Sequence, residues 1–242
     1  MIFRRIKAHI EKENWFAVGI DFFIVVIGVF IGLQVANWNE TRAERERLAT
    51  QLDSFRTELV MARDDVASLE AYALKRASDA STLRKRLSEE GTELTEEDFN
   101  RLAMSALRSS SFTVTYHDFE ELSLSGGLSL LEDQDLRDMI SRWDTQLSII
   151  RTIDGTSEEF RATSVLPAFA STVVLGNSFK TDDRYADITY TGRFAFDLQS
   201  IRQNLEFDNA LSLRHVLAKQ QANLLVDFRD ISEELITALE EF

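Results

Sequence analysis

The residues that most often carry catalysis or metal binding are few and scattered in this sequence. It contains no cysteine and three histidines, His9, His117 and His215. The lack of cysteine excludes disulfides, thiolate nucleophiles and cysteine-ligated metals. No histidine has a second ligand at metal-binding spacing. His117 stands beside Asp118, which suits a general base with its orienting carboxylate, but such a pair is more often a solvated loop. His215 is expected on a polar helix face.

Acidic pairs and short motifs give no catalytic signature either. Adjacent carboxylates begin, among other places, at Asp64, Glu89, Glu96 and Asp182, and none of these four has the residue order of a calcium loop. The sequence has no Walker A motif, dinucleotide-binding fingerprint or G-x-S-x-G nucleophile motif. We therefore expect a protein that is not an enzyme, with no catalytic residues, no cofactor and no metal.

The composition narrows the class of partner and the class of fold. The 242 residues include 27 Lys and Arg against 41 Asp and Glu, a net charge of -14. A nucleic-acid partner is disfavoured, because such proteins need a basic face to displace counterions. The chain has 44% hydrophobic residues and one proline. This composition favours long helices, since proline interrupts helix interiors.

The strongest single signal is an apolar run at residues 16–38, which predicts a transmembrane helix. About 20 such residues cross a bilayer, and Trp15 and Trp38 bracket the run like the aromatic residues at membrane interfaces. A cleaved signal peptide is the competing interpretation, but its apolar core is shorter and a small-x-small cleavage site follows it. Here the run ends in Trp38-Asn39-Glu40, which indicates an uncleaved anchor.

Basic residues before the run set its expected orientation. Lys and Arg concentrate on the cytoplasmic side of membrane helices. The asymmetry here is slight, with Arg4, Arg5, Lys7 and Lys12 before the run and Arg42, Arg45 and Arg47 just past it, and the short basic tail favours the cytoplasm for the N-terminus. We therefore predict a cytoplasmic tail at residues 1–15. The acidic remainder, from residue 39 onwards, then faces the periplasm or the cell exterior.

Four residues inside the span are candidates for contacts between membrane helices. Gly28 and Gly32 form a GxxxG pair, which lets two helices approach closely, although glycine is also simply tolerated in membrane helices. Asp21 is costly in lipid and favours a polar or cationic partner. Alternatively, Asp21 reaches the interface or is protonated. Gln34 is a candidate for an interhelical hydrogen bond.

Residues 39–90 predict one long, coiled-coil-like stem helix. Apolar residues recur at spacings of four and three, the seam of a coiled coil or helical bundle. No glycine or proline interrupts this stretch. Gly91 is expected to cap its end. The residues expected to pack along this seam are Leu48, Leu52, Phe55, Leu59, Val66 and Leu69.

Residues 91–199 predict a helical head with an irregular aromatic region. Thr95 and Asp133 are expected to cap two helices, Gly126 to end a short one, and Pro167 to end the helix that Asp133 opens. In the same interpretation Leu128, Leu130 and Leu131 fill the core. The aromatic residues at 179–196 are either packed onto the bundle or a binding surface, and packing is the commoner role.

Residues 200–242 predict a second long helix that returns toward the membrane. Its expected packing residues include Leu224, Phe228, Ile231 and Leu235, again at spacings of three and four. Two long seams at opposite ends of a chain suggest an antiparallel pair. The expected fold is therefore all-α, with a transmembrane helix that continues into a long helix and an elongated antiparallel helical-bundle ectodomain.

Parts of the sequence resemble a bacterial single-pass membrane family of unknown function. The matching pieces are Asp21, where the family more often has Glu, the apolar run to Trp38-Asn39-Glu40, and Ser125-Gly126-Gly127-Leu128 with Asp133 to Arg137. The resemblance covers about the first 40 residues and a patch near 115–137. It implies an anchored helical ectodomain and no known activity. Together with the orientation predicted from the basic residues, the expected location is the bacterial inner membrane, with the ectodomain in the periplasm.

Three functions are compatible with these patterns. The first is a membrane-anchored interaction or scaffold protein, such as an accessory subunit of a larger membrane complex, whose partners are the membrane and other subunits or a second copy of itself. The second is a periplasmic sensor or ligand-binding module that works through a separate transducer. The third, an envelope enzyme with a cleft at 179–196, requires carboxylates with perturbed pKa values.

Overall fold

A computed structural model describes residues 15–91, 93–173 and 195–242 of the chain. Most of these residues are helical, and no strand occurs among them. The chain divides into two compact units, residues 1–51 and 52–242. The helices are α1 Trp15–Ser88, α2 Glu96–Leu107, α3 His117–Leu124, α4 Gly127–Leu130, α5 Gln134–Phe160, a π-helical turn Arg161–Val165, α6 Leu166–Thr172, α7 Leu198–Arg202 and α8 Leu205–Glu241.

Short polar side chains begin several of these helices. Thr95 accepts a hydrogen bond from the Asp98 backbone N–H at the start of α2, and Asp133 accepts one from Leu136 at the start of α5. Asn204 does the same for Phe207 in α8. Each cap satisfies a backbone N–H that lacks an intrahelical partner, which confirms the expected helix starts at Thr95 and Asp133.

Glycine marks the helix ends, with one difference from expectation. Gly91 and Gly126 both adopt positive φ, 86° and 77°, a conformation that glycine adopts without steric cost. Gly126 ends α3 but Gly127 begins a further short helix, α4. Leu131 is fully buried, whereas Leu130 is exposed. The expectation that Leu130 fills the core is therefore wrong.

The expectation that Pro167 ends the helix opened by Asp133 is also wrong. The helical path continues through the π-helical turn Arg161–Val165 into α6, with Pro167 in the first turn of α6. Proline lacks an N–H and its ring clashes with the carbonyl four residues before it. A π-helical turn changes the hydrogen-bond register at this point, so the proline occupies a position where its missing N–H costs little.

The core of residues 52–242 contains two aromatic groupings. Trp143 is fully buried and contacts the rings of Phe55, Tyr116, Phe119 and Phe228 at centroid distances of 4.8–5.5 Å. A second grouping joins α1, α2, α6 and α8, where the rings of Phe99 and Phe169 pack on that of Phe207. The first grouping is formed by side chains from four separate stretches of sequence.

Helices α1 and α8 run in opposite directions where they contact each other. Residue numbers rise along α1 while those of their α8 partners fall, in the pairs Arg56–Glu240, Arg63–Glu233, Glu70–Arg229 and Arg84–Asp208. All four are wholly or partly solvent-exposed ion pairs, which individually add little stability. They do record the register of the two helices.

The packing residues expected on the two long helices are buried to different extents. On α1, Leu48, Leu52, Phe55, Leu59 and Val66 are buried and Leu69 is half-buried. On α8, Phe228 and Leu235 are buried, while Leu224 and Ile231 are only half-buried. The buried residues of α8 include Phe228 and Leu235 of the expected seam, together with Leu211, Arg214, Ala218, Gln221 and Leu225. The expected seam is therefore confirmed at Phe228 and Leu235, while Leu225 is buried in place of its neighbour Leu224.

Candidate functional site

The apolar segment of α1 presents its large side chains to the surroundings. Phe22, Phe23 and Phe30 are each more than 60% exposed, and the segment has a mean hydropathy of 2.3 with none of that window buried within the protein. Among the described residues it is the one helix long and apolar enough to cross a membrane. Exposed apolar surface of this extent requires a nonpolar environment.

The polar and small residues of this segment divide between two faces of the helix. Gly28 and Gly32 follow Asp21 at seven and eleven positions, which places all three on one face at about 3.6 residues per turn. Gln34, thirteen positions after Asp21, lies on a different face, as does Gly19. A Cβ atom added at Gly19, Gly28 or Gly32 meets nothing within 4 Å. The helix face that carries Asp21 is therefore open to a neighbour.

A polar cluster inside residues 52–242 contains the buried side chains of Arg76, Arg214 and Gln221. The half-buried carboxylates Asp154 and Glu158 lie beside them. Arg76 and Arg214 are 5% and 4% exposed. Arg214 donates from Nε to the Ala106 carbonyl at 2.8 Å and from Nη2 to the Arg108 carbonyl at 2.7 Å. These carbonyls lie at the C-terminal end of α2, which carries partial negative charge. The cluster therefore fastens that helix end to α8.

Gln221 connects this cluster to α1, α5 and the segment that follows α2. Its Oε1 accepts a hydrogen bond from Arg76 at 2.7 Å, and its Nε2 donates to Asp154 at 2.9 Å and to the Ser110 carbonyl at 3.2 Å. The other Asp154 oxygen accepts from the Phe112 backbone N–H at 3.0 Å. Burial raises the pKa of Asp154, against the opposing effect of the Phe112 hydrogen bond.

The pKa of Glu158, the second carboxylate of the polar cluster, shifts in the opposite direction to that of Asp154. Hydrogen bonds from Arg161 lower the pKa of Glu158 to about 2, against a smaller opposing effect of burial, and Ser109 adds a further hydrogen bond at 2.7 Å. Burial lowers the pKa of Arg214 to about 10, and the neighbouring charges of Arg76 and Arg161 lower it further. Both arginines of the cluster nevertheless carry a proton at neutral pH.

The geometry of the polar cluster suits positioning better than catalysis. Its arginine donors are directed at main-chain carbonyls and an amide oxygen, and its two carboxylates accept from a backbone N–H and from side-chain donors. The cluster holds residues 108–112 between three helices. Sequence reasoning missed it, although Arg214 and Gln221 lie seven positions apart on α8, a spacing that places both on one face.

The histidines have separate surroundings. His117 is exposed, and its backbone N–H, with those of Asp118 and Phe119, donates to the Glu58 carboxylate, which caps α3 from α1. His215 is half-buried, and its Nδ1 lies 2.9 Å from the Ala77 carbonyl. His9 lies outside the described residues. Within those residues no group of histidines and carboxylates has the arrangement of a metal site.

Most of the aromatic region at 179–196 also lies outside the described residues, including Phe179, Tyr185, Tyr190 and Phe194. Phe196 is described. It is half-buried, and its ring packs on Phe99 at a centroid distance of 5.3 Å. For this one residue, packing is the role that the structure supports.

The comparisons with known proteins add no family to these observations. The resemblance of residues near 1–40 and 115–137 to a bacterial membrane family therefore stays an expectation. No family model, curated protein or solved structure matches the chain.

Proposed function

We propose that the protein is a membrane-anchored, non-enzymatic interaction or scaffold protein, an accessory subunit of a larger membrane complex. The observation that carries this proposal is the apolar segment of α1, whose exposed face bears Asp21, Gly28 and Gly32. A carboxyl group and two small residues on one face of a membrane helix suit close contact with another helix.

In this proposal, residues 1–15 lie in the cytoplasm, residues 16–38 cross a bacterial inner membrane, and the antiparallel helical-bundle ectodomain faces the periplasm. Support comes from the opposite directions of α1 and α8 where they form ion pairs. The acidic charge of the chain also keeps the ectodomain away from anionic lipid headgroups.

The experiment compares variants of the full-length chain after extraction in a mild detergent. Asp21→Asn removes the charge, and Gly28→Leu fills the open face. Both changes are expected to lower the native mass of the complex, because they act on the proposed contact. Asp21→Glu retains the carboxylate and should retain the complex.

Gly19→Leu supplies the matched control for this series. Gly19 lies on the opposite face of the same helix, and a Cβ atom there also meets nothing within the protein. If Gly19→Leu and Gly28→Leu lower the native mass equally, the proposed contact face is wrong. An unchanged mass for Asp21→Asn argues against a role for the carboxylate.

A specific observation favours a periplasmic ligand-binding module as the second candidate. A cavity of about 460 Å³ is lined by Phe99, Asn100, Asp197 and Asn204, among others. That volume lies within the roughly 300–1,000 Å³ typical of small-molecule sites. A rise in melting temperature of the full chain with amino acids, sugars or dicarboxylates, abolished by Asn100→Leu, would favour this candidate.

A further inference from the structure

A cleft between α3 and α5 lies apart from the polar cluster and is formed entirely by described residues. Its volume is about 250 Å³. Its floor is apolar and consists of Tyr116, Phe119 and Leu147, each at most 6% exposed. Leu124 stands at its edge and is 89% exposed, the most exposed large apolar side chain among the described residues.

Three charged side chains form the rim of this α3–α5 cleft: Glu120, Asp144 and Arg151. Within the described residues none of the three has an ion-pair partner. By contrast, Arg56, Arg84 and Arg229 of the same protein each form at least one ion pair. An apolar centre surrounded by charged groups is the usual anatomy of a protein interface.

The spacing of the rim residues matches the repeat of a helix. Asp144, Leu147 and Arg151 occupy positions i, i+3 and i+7 of α5, so the acid and the base lie about two turns apart, roughly 10 Å, with the leucine between them. A partner helix that lies along α5 presents its own side chains with the same repeat. The cleft is smaller than most small-molecule sites, which favours an inserted side chain over a whole ligand.

From this juxtaposition we infer that the α3–α5 cleft binds an amphipathic helix of a partner protein. The helix inserts an apolar side chain between Leu124 and Leu147. It carries a basic residue that meets Asp144 and Glu120, and an acidic residue that meets Arg151. The inference rests on the proposed function, since it names the surface through which the ectodomain holds a partner.

The test uses three fluorescently labelled helical peptides and the full-length chain in a mild detergent. Each peptide has one central leucine between two charged positions spaced seven apart, to match Asp144 and Arg151. The charged pair is Lys and Glu in the first peptide, Lys and Lys in the second, and Glu and Glu in the third. Because a peptide can bind in either direction, the identity of the charges is varied rather than their order.

Fluorescence anisotropy is expected to show that the wild-type chain binds the Lys/Glu peptide about tenfold more tightly than either of the others. Arg151→Glu should transfer that preference to the Lys/Lys peptide. Leu124→Ser should weaken all three. Arg142→Glu is the matched control, because Arg142 is exposed on the opposite face of α5, and it should leave the wild-type preference unchanged.

Absence of binding, equal affinity for all three peptides, or an unchanged preference in Arg151→Glu would each overturn the inference. These results are distinguishable from a failure of the proposed function. If the chain still extracts with a stoichiometric partner, the complex is real and its contact lies elsewhere. If the preference switches but no partner extracts with the chain, the cleft is correct and the accessory-subunit proposal fails.

Discussion

Replacement of Arg214 by methionine removes the centre of the polar cluster while it retains much of the side-chain length. The change deletes the hydrogen bonds at 2.8 and 2.7 Å to the Ala106 and Arg108 carbonyls. The Ala106 carbonyl, which has no intrahelical partner in the last turn of α2, loses its Arg214 donor, and the Arg108 carbonyl keeps the bond from Arg76, at 3.3 Å.

The expected cost follows from these contacts. A hydrogen bond from a charged donor contributes about 1.5–3 kcal/mol, and loss of the donor leaves its acceptor buried. Two gains oppose this loss, because methionine is cheaper to bury and the repulsion between Arg76 and Arg214 disappears. The net loss of stability at the end of α2 is therefore expected to be about 3 kcal/mol.

Hydrogen–deuterium exchange of residues 108–116, followed by mass spectrometry, measures this loss directly. The Phe112 N–H is protected by its hydrogen bond to Asp154, and a local loss of about 3 kcal/mol speeds its exchange roughly a hundredfold. Arg214→Lys should give an intermediate rate, since lysine retains the charge without the planar fork. The exposed Arg142→Met serves as the control. An exchange rate in Arg214→Met within about threefold of wild type would refute the positioning role of the cluster.

Three further predictions concern the stability of the full chain, followed by circular dichroism during denaturation. The folded-state pKa of Glu158 is lowered from 4.5 to about 2. Its carboxylate therefore stabilises the fold fully above pH 4.5, and this contribution is lost as the pH falls through 2. Glu158→Gln should lack that part of the acid dependence of stability, and a pH profile of stability identical to that of the wild type would contradict the prediction. Trp143→Ala should cost about 3–5 kcal/mol because the ring is fully buried, whereas the exposed Met61→Ala should change stability by less than about 0.5 kcal/mol; a small effect at Trp143 would contradict the described core. Gly126→Ala should destabilise the protein by about 1 kcal/mol because φ is 77° there. Gly155→Ala, inside α5 and with open space around it, should stabilise the protein by about 0.5–1 kcal/mol. If both variants changed stability in the same direction, one of the two backbone conformations would be wrong.

Local features of the fold were predictable because their causes lie within a few residues. The apolar run at 16–38 is visible in its own residue types. The caps Thr95 and Asp133 and the turn glycine Gly126 determine the conformation of the backbone next to them. Sequence spacing could place these helix starts and ends without any knowledge of tertiary contacts.

Features that depend on partners distant in sequence were not predictable in the same way. Arginine side chains are usually exposed, so the sequence alone places Arg214 on the surface. Arg214 is nevertheless buried, and carbonyl groups more than a hundred residues earlier in the chain accept its hydrogen bonds. On the same helix Ala218 and Gln221 are buried as well, whereas the expected Leu224 and Ile231 are only half-buried. The π-helical turn before Pro167 likewise has no strong sequence signal, since it adjusts a register that neighbouring packing defines.

The candidate surfaces show the same division. Asp21, Gly28, Gly32 and Gln34 of the apolar segment were identified from residue type. The helical repeat of 3.6 residues per turn then places Gln34 on a different face from Asp21. The α3–α5 cleft needs two helices brought together, and its charged residues are unremarkable in sequence. Their significance comes from the absence of ion-pair partners among the described residues.

The most direct test of the central claim is the native mass of the tagged, full-length chain after mild detergent extraction from its host membrane. The proposed function predicts that the chain fractionates with the membrane and extracts as a complex with a stoichiometric protein partner. Extraction as a single 27.7 kDa chain that lacks a partner would contradict it.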